Sequence, residues 1–154
     1  RHPERFSTVA ELLAQQKYTV VKRSSRFSVA PGTQVLLGDT MGELALFYAA
    51  ADVAFVGGSL VPVGGHNALE PAALSVPVIM GPYVDNCLEI TKRLADAGAL
   101  IQVSDSDALA KAVLHWFVNP VDRTQAGICA KKVVEKNRGA VKQIVDVIMR
   151  GEPR

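Results

Sequence analysis

The 154 residues are 49% hydrophobic and 21% charged, with a net charge of +2 and a pI near 8.6. That is enough apolar mass for one ordinary domain with a sizeable core, while the charge is too mild for a nucleic-acid surface, which asks for a basic stripe. No apolar run approaches the length of about 18 residues that reads as a membrane span, and the distant Cys87 and Cys129 fit neither a metal spacing nor a disulfide framework, so both read as reduced thiols of a cytosolic protein.

The chain opens on "RHPERF", without a methionine and at the mouth of a helix, which reads as a cut in a longer protein with a strand before Arg1. Pro3 suits the first helical position, and Phe6, Val9, Leu12 and Leu13 recur at helical spacing, predicting an amphipathic helix over 3–16. "YTVV" (18–21) and "QVLLG" (34–38) read as strands around a loop at 25–33, and Asp39 and Thr40 offer caps for a helix over 41–51. "DVAFVGG" (52–58) is a third strand, followed by a glycine-rich loop and a short helix over 67–75. "VPVIMG" (76–81) and "ALIQV" (99–103) are further strands, separated by a helix over 86–98 that ends on Gly98, the favoured residue just past a helix end. Ser104 and Asp105 start a helix over 106–118 whose buried face is read as Leu109, Val113, Trp116 and Phe117, and a helical tail over 121–149 breaks near "NRG" (137–139).

Strands alternate with helices throughout, and the strands are continuous apolar runs. That combination predicts one open α/β domain over 1–154, a Rossmann-like parallel sheet with helices on both faces. Ligands of such sheets bind beyond the carboxyl ends of the strands. Two junctions there stand out, "GDTMGEL" (38–44) and "GGHNALEP" (64–71), each with a small polar residue three positions before a glutamate: Thr40 before Glu43, Asn67 before Glu70.

That spacing is a capping box, in which cap and glutamate satisfy each other's free backbone N–H groups without any ligand. Other features point to a ligand. Gly42, read as lying in a first helical turn, costs about 1 kcal/mol relative to alanine, so something should want the space it leaves. Gly64 and Gly65 bring bare backbone to the second mouth, and helix starts attract phosphate. A carboxylate beside such a seat must reach past the phosphate, for instance to ribose hydroxyls. Neither the dinucleotide fingerprint nor the P-loop lysine motif is present. Arg1, His2 and Arg5 cluster at another helix start, His66 is either a hydrogen-bonded loop residue or a ligand contact, and His115 reads as structural. Lys131, Lys132, Lys136, Arg138 and Lys142 read as a solvated helix face, with a surface for anionic membrane as the alternative.

In order and spacing, "RHPERF", "GDTMGEL", "VGGSLVPVGGHNALEPAA" and "PVIMGP" closely resemble the carboxyl-terminal half of the 3-deoxy-D-manno-octulosonic acid (Kdo) transferases, from Arg1 to about Val141. These enzymes of Gram-negative bacteria add Kdo to the lipid A precursor in lipopolysaccharide biosynthesis. The resemblance implies the second domain of a GT-B glycosyltransferase, which binds the donor CMP-Kdo. It places the membrane anchor, the lipid A precursor site and a catalytic glutamate on an amino-terminal domain at the cytoplasmic face of the inner membrane. It carries CMP contacts onto Arg1, onto Met41, Gly42 and Glu43, and onto Asn67, Ala68, Leu69 and Glu70, with His2, Arg5, Gly65 and His66 as further candidates. No catalytic residue, metal or cofactor is expected on this chain, which should bind donor without turnover. One departure is "YVDNC" (83–87), where His and Phe are common in the family around the asparagine matching Asn86.

The implied mechanism is inversion. An acceptor hydroxyl attacks the anomeric carbon as CMP leaves, helix N-termini and Arg1 stabilise the departing phosphate, and Glu43 or Glu70 holds the ribose. Three alternatives stay open: a UDP-sugar domain of the same architecture, a nucleotide-sensing α/β module without transfer chemistry, and a structure in which both boxes are only caps.

Overall fold

Short apolar runs bounded by glycine, proline and polar residues give short strands, and among the described residues every strand is two or three residues long. The computed structural model describes residues 2–137. By contact the chain divides into two compact units, one ending at Phe47 and the other beginning at Tyr48.

In the first unit, a 3-10 turn at Pro3–Arg5 leads into helix α1 (Phe6–Gln15). Strand β1 (Val20–Lys22) then pairs in parallel with β2 (Val35–Leu37), Lys22 lying opposite Leu37. Helix α2 (Leu44–Ala49) spans the boundary between the units. No residue from 2 to 47 is fully buried, and Val9 and Leu12, on the predicted apolar face of α1, are exposed.

The core belongs to the second unit. Strands β3 (Ala54–Phe55), β4 (Val78–Met80) and β5 (Leu100–Gln102) form a parallel sheet in the order β3-β4-β5. Helices α3 (Leu69–Ala73), α4 (Leu88–Asp96), α5 (Ser106–Val118) and α6 (Pro120–Asn137) surround it. Side chains of a strand alternate between faces. Accordingly Val78 and Met80 pack with Ala72, Leu94 and Ala130 of α3, α4 and α6, whereas Ile79 packs with Ala112 and Trp116 of α5 and Ala126 of α6. Helices therefore cover both faces, as the apolar strands predict.

The parallel strands of the sequence reading are present, and among the described residues they form two ladders, β1-β2 and β3-β4-β5. Phe117 is a correction. It is 53% exposed, with the Arg123 guanidinium 5.6 Å from its ring centre, because Ala112 and Trp116 turn inward instead. Gly127 lets α6 approach closely: a Cβ there would lie 2.1 Å from the Ser75 carbonyl oxygen. His115 is hydrogen-bonded to its local partner Asn119, and Cys87 and Cys129 are free thiols. Lys131, Lys132 and Lys136 are exposed on α6, while Arg138, Lys142 and the "NRG" break from Arg138 onward lie outside the described residues.

Helix α5 starts where predicted. Asp105 is its N-cap and accepts from the Ala108 N–H at 2.8 Å and from the Ser104 hydroxyl at 2.7 Å. These bonds, the Ala108 N–H first, hold its carboxyl below the usual range. A carboxyl whose pKa is lower in the folded state stabilises the fold above its unfolded pKa of about 3.9 and loses that contribution as pH falls through the folded value. Asp105→Ala should therefore lower Tm at pH 7, with the gap to the parent closing in thermal melts taken below pH 4.

Candidate functional site

Because β1 and β2 are parallel and in register, the loops that follow them leave at the same end. After β1 comes a 3-10 turn, Arg23–Ser25; after β2 come Gly38 to Glu43. Ser24 bonds the Asp39 carboxylate twice, through its N–H at 2.8 Å and its hydroxyl at 2.6 Å. The hydroxyl first, then the N–H, keep the Asp39 carboxyl below its ordinary range. Arg23 Nη2 donates to Glu43 Oε1 at 2.7 Å, and Thr40 Oγ1 donates to Glu43 Oε2 at 2.5 Å. Thr40 foremost, and then Arg23, lower the Glu43 pKa, so this partly exposed carboxylate is an anion at neutral pH.

This is not the capping box that the spacing predicts. The helix begins at Leu44, so Glu43 immediately precedes it, and the Glu43 carbonyl accepts from the Leu46 N–H at 2.9 Å. Gly42 is corrected likewise. It precedes the helix and does not lie in its first turn, at φ +81°, a left-handed backbone that favours glycine, and a Cβ there would meet no protein atom within 4 Å. Met41 is 60% exposed beside it.

In the second unit, β3 runs into Gly57 and Gly58, and the chain returns through Gly64 and Gly65 into α3. The Gly65 N–H bonds the Gly58 carbonyl at 2.9 Å and the His66 N–H bonds the Gly57 carbonyl at 3.2 Å, which lays the His66 ring over Gly58. His66 is thus an exposed residue on a hydrogen-bonded turn, with Gly65 buried behind it. Asn67 Oδ1 accepts from the Leu69 N–H at 3.0 Å, and Asn67 Nδ2 donates to Glu70 Oε1 at 3.1 Å. Half of the expected box forms: the asparagine caps a backbone N–H, while the glutamate bonds the asparagine side chain. Asn67 and Glu70 are exposed, Leu69 is half-buried, and Ala68 is fully buried in the core. Burial, and then the Glu70 carboxylate, raise the pKa of the half-buried Tyr48 phenol.

The loop after β4 braces this turn. Asn86 donates its side-chain amide to the Val63 carbonyl at 3.1 Å and its N–H to the Gly64 carbonyl at 3.0 Å. Ser59 accepts the Gly81 N–H at 2.9 Å and donates to the Val56 carbonyl at 2.6 Å. Alongside lies an open cavity of about 500 Å³ lined by Leu69, Asn86, Cys87, Ile90, Arg93 and Asn137 among others.

His2 and Arg5 lie at the exposed start of α1, His2 Nδ1 being 2.9 Å from Glu4 Oε1; Arg1 lies outside the described residues. Helices α2 and α3 have six and five residues. They align few peptide dipoles, which weakens the phosphate seat expected from helix ends. The sequence reading passed over Arg23, Ser24, Ser59 and Tyr48. The signal for Arg23 was available, a cation directly after a strand at the sheet's carboxyl edge.

Residues 13–133 match the family described as glycosyl transferases group 1. The chain belongs to that family. Within the glycosyl transferases group 1, it is 44% identical to the 3-deoxy-D-manno-octulosonic acid transferase of Haemophilus influenzae and 34% identical to that of Bordetella pertussis, each over 149 residues, or 96% of this chain and 35% of the relative. The chain thus spans about a third of the length of these curated relatives. A crystal structure of the C-terminal CMP-Kdo binding domain of WaaA from Acinetobacter baumannii superimposes with a TM-score of 0.83 at 40% identity, covering 87% of this chain and 70% of that one. The Kdo transferase resemblance and the glycosyltransferase fold read from the motifs therefore hold.

Proposed function

We propose that this glycosyltransferase chain is the donor-binding part of an inverting Kdo transferase, holding the CMP portion of CMP-Kdo. The likeness to a domain solved as a CMP-Kdo binding domain carries this reading. The side-chain chemistry supports it: Glu43 is an ionised, partly exposed acceptor held by two donors, and Asn67 and Glu70 form a second exposed polar pair. Carboxylates accept from the vicinal hydroxyls of ribose, whereas the donor's phosphate needs a cation, a role we give to Arg1. Met41 and Gly42 adjoin Glu43 along the chain, and His66 and Leu69 flank Asn67 and Glu70, with Gly65 and Ala68 buried behind them. Acceptor binding and the general base fall to another domain of a longer protein, and transfer to the lipid A precursor takes place at the cytoplasmic face of the inner membrane. Among the described residues no helix is long and apolar enough to cross a membrane.

Titration with CMP by calorimetry and NMR, with UMP and NAD as controls, tests the reading. CMP alone should bind, perturbing Met41–Glu43 and Asn67–Glu70. Glu43→Gln and Glu70→Gln should each weaken it about tenfold, the usual effect of losing a charge-assisted hydrogen bond. Equal binding of UMP would point to a UDP-sugar domain. Silence toward CMP, with the two substitutions felt only in stability, would leave both glutamates as structural groups.

A further inference from the structure

Two of the four acceptor positions of the Glu43 carboxylate are taken, one on each oxygen: Arg23 holds Oε1 and Thr40 holds Oε2. Among the described residues one position per oxygen remains, on a side chain 25% exposed to solvent. Two parallel acceptors of this kind suit a pair of adjacent hydroxyl donors. Arg23 itself is anchored at its base. Its carbonyl accepts the Arg26 N–H at 3.2 Å, and the next residue, Ser24, is tied twice to Asp39. An arginine held in this way loses little conformational freedom in gripping a carboxylate. The neighbouring acid, Asp39, is engaged by Ser24, so Arg23 is the charged group acting on Glu43 among the described residues.

We propose that Arg23 is a positioning residue for donor recognition, fixing the Glu43 carboxylate so that its two free acceptor positions receive the 2′- and 3′-hydroxyls of the nucleotide ribose. This rests on the donor-binding reading above. An exposed ion pair contributes little to folding, so Arg23 variants should separate an effect on binding from one on stability.

Affinities of the full chain for CMP and 2′-deoxy-CMP, in the parent and in Arg23→Ala and Arg23→Lys, test the proposal, with thermal melts as a control. The parent should prefer CMP. Arg23→Ala should weaken CMP about tenfold, the size expected for one charged hydrogen bond, and weaken 2′-deoxy-CMP, which keeps only the 3′-hydroxyl, by clearly less, so that the preference narrows. Arg23→Lys should restore much of it, with Tm nearly constant across the three. In Arg23→Ala the Glu43 carboxyl loses a cation that lowers its pKa, so CMP binding should also fail at a higher pH as the solution is acidified. Equal weakening of both nucleotides by Arg23→Ala, no weakening, or no preference in the parent would overturn the proposal and leave donor binding standing. A parent that binds neither nucleotide would overturn both.

Discussion

Gly81→Ala is expected to destabilise the protein by roughly 3 kcal/mol, the upper end of the usual range for overpacking a buried site. A Cβ at Gly81 would lie 2.1 Å from the Ser59 carbonyl oxygen, 2.4 Å from its carbon and 2.7 Å from the Leu60 nitrogen. All three are backbone atoms, so no side chain can swing aside. The Ser59 carbonyl also accepts the Tyr83 N–H at 3.0 Å, and the Ser59 hydroxyl accepts the Gly81 N–H. Relief of the clash must separate the loops after β3 and β4 and break this clip, exposing donors and acceptors that are now paired. Urea unfolding should show a lower midpoint with an unchanged slope. Gly57→Ala is the control. A Cβ there meets nothing within 4 Å and the residue's φ is not in the left-handed region, so its effect should stay within about 0.5 kcal/mol. Equal losses for the two variants would refute the account.

Gly64→Ala should act on the candidate site as well as on stability. Gly64 has φ +93°, and a Cβ would lie 2.4 Å from Asn86 Nδ2. The backbone alone costs alanine about 1–2 kcal/mol. Asn86 can move away only by giving up its bond to the Val63 carbonyl, which is worth about 1 kcal/mol. Together these predict a loss of about 2–3 kcal/mol and a CMP affinity reduced by more than tenfold, since the turn that delivers His66 to Glu70 is released. A double-mutant cycle with Asn86→Ala separates the parts. The second substitution removes the clash but leaves the backbone strain, so the double mutant should lose less than the sum of the two single losses. Simple additivity would show that Asn86 does not brace the turn.

The elements legible in the sequence were those whose cause is local. Apolar runs marked the five described strands, three of them running into glycine, although each ladder is shorter than its run. The N-cap of α5 was legible because Asp105 and Ala108 lie on one helical turn. The motifs around "GDTMGEL" and "GGHNALEP" are legible in the sequence as a Kdo transferase pattern.

Tertiary structure decided the rest. Spacing placed Thr40 near Glu43, but whether the pair caps a helix or bonds side chain to side chain depended on the helix starting only at Leu44. Arg23 and Glu43 are 20 residues apart and meet because β1 and β2 run parallel in register. Asn86 reaches Val63 across 23 residues because β3 and β4 do the same. Phe117 follows the helical pattern yet faces solvent, because the neighbouring helix α6 meets the side of α5 that carries Ala112 and Trp116. A sequence by itself determines the preferences of neighbouring residues, which act through backbone angles and nearby hydrogen bonds. It leaves open which distant side chains meet, because that depends on how strands align and which helix face finds a partner.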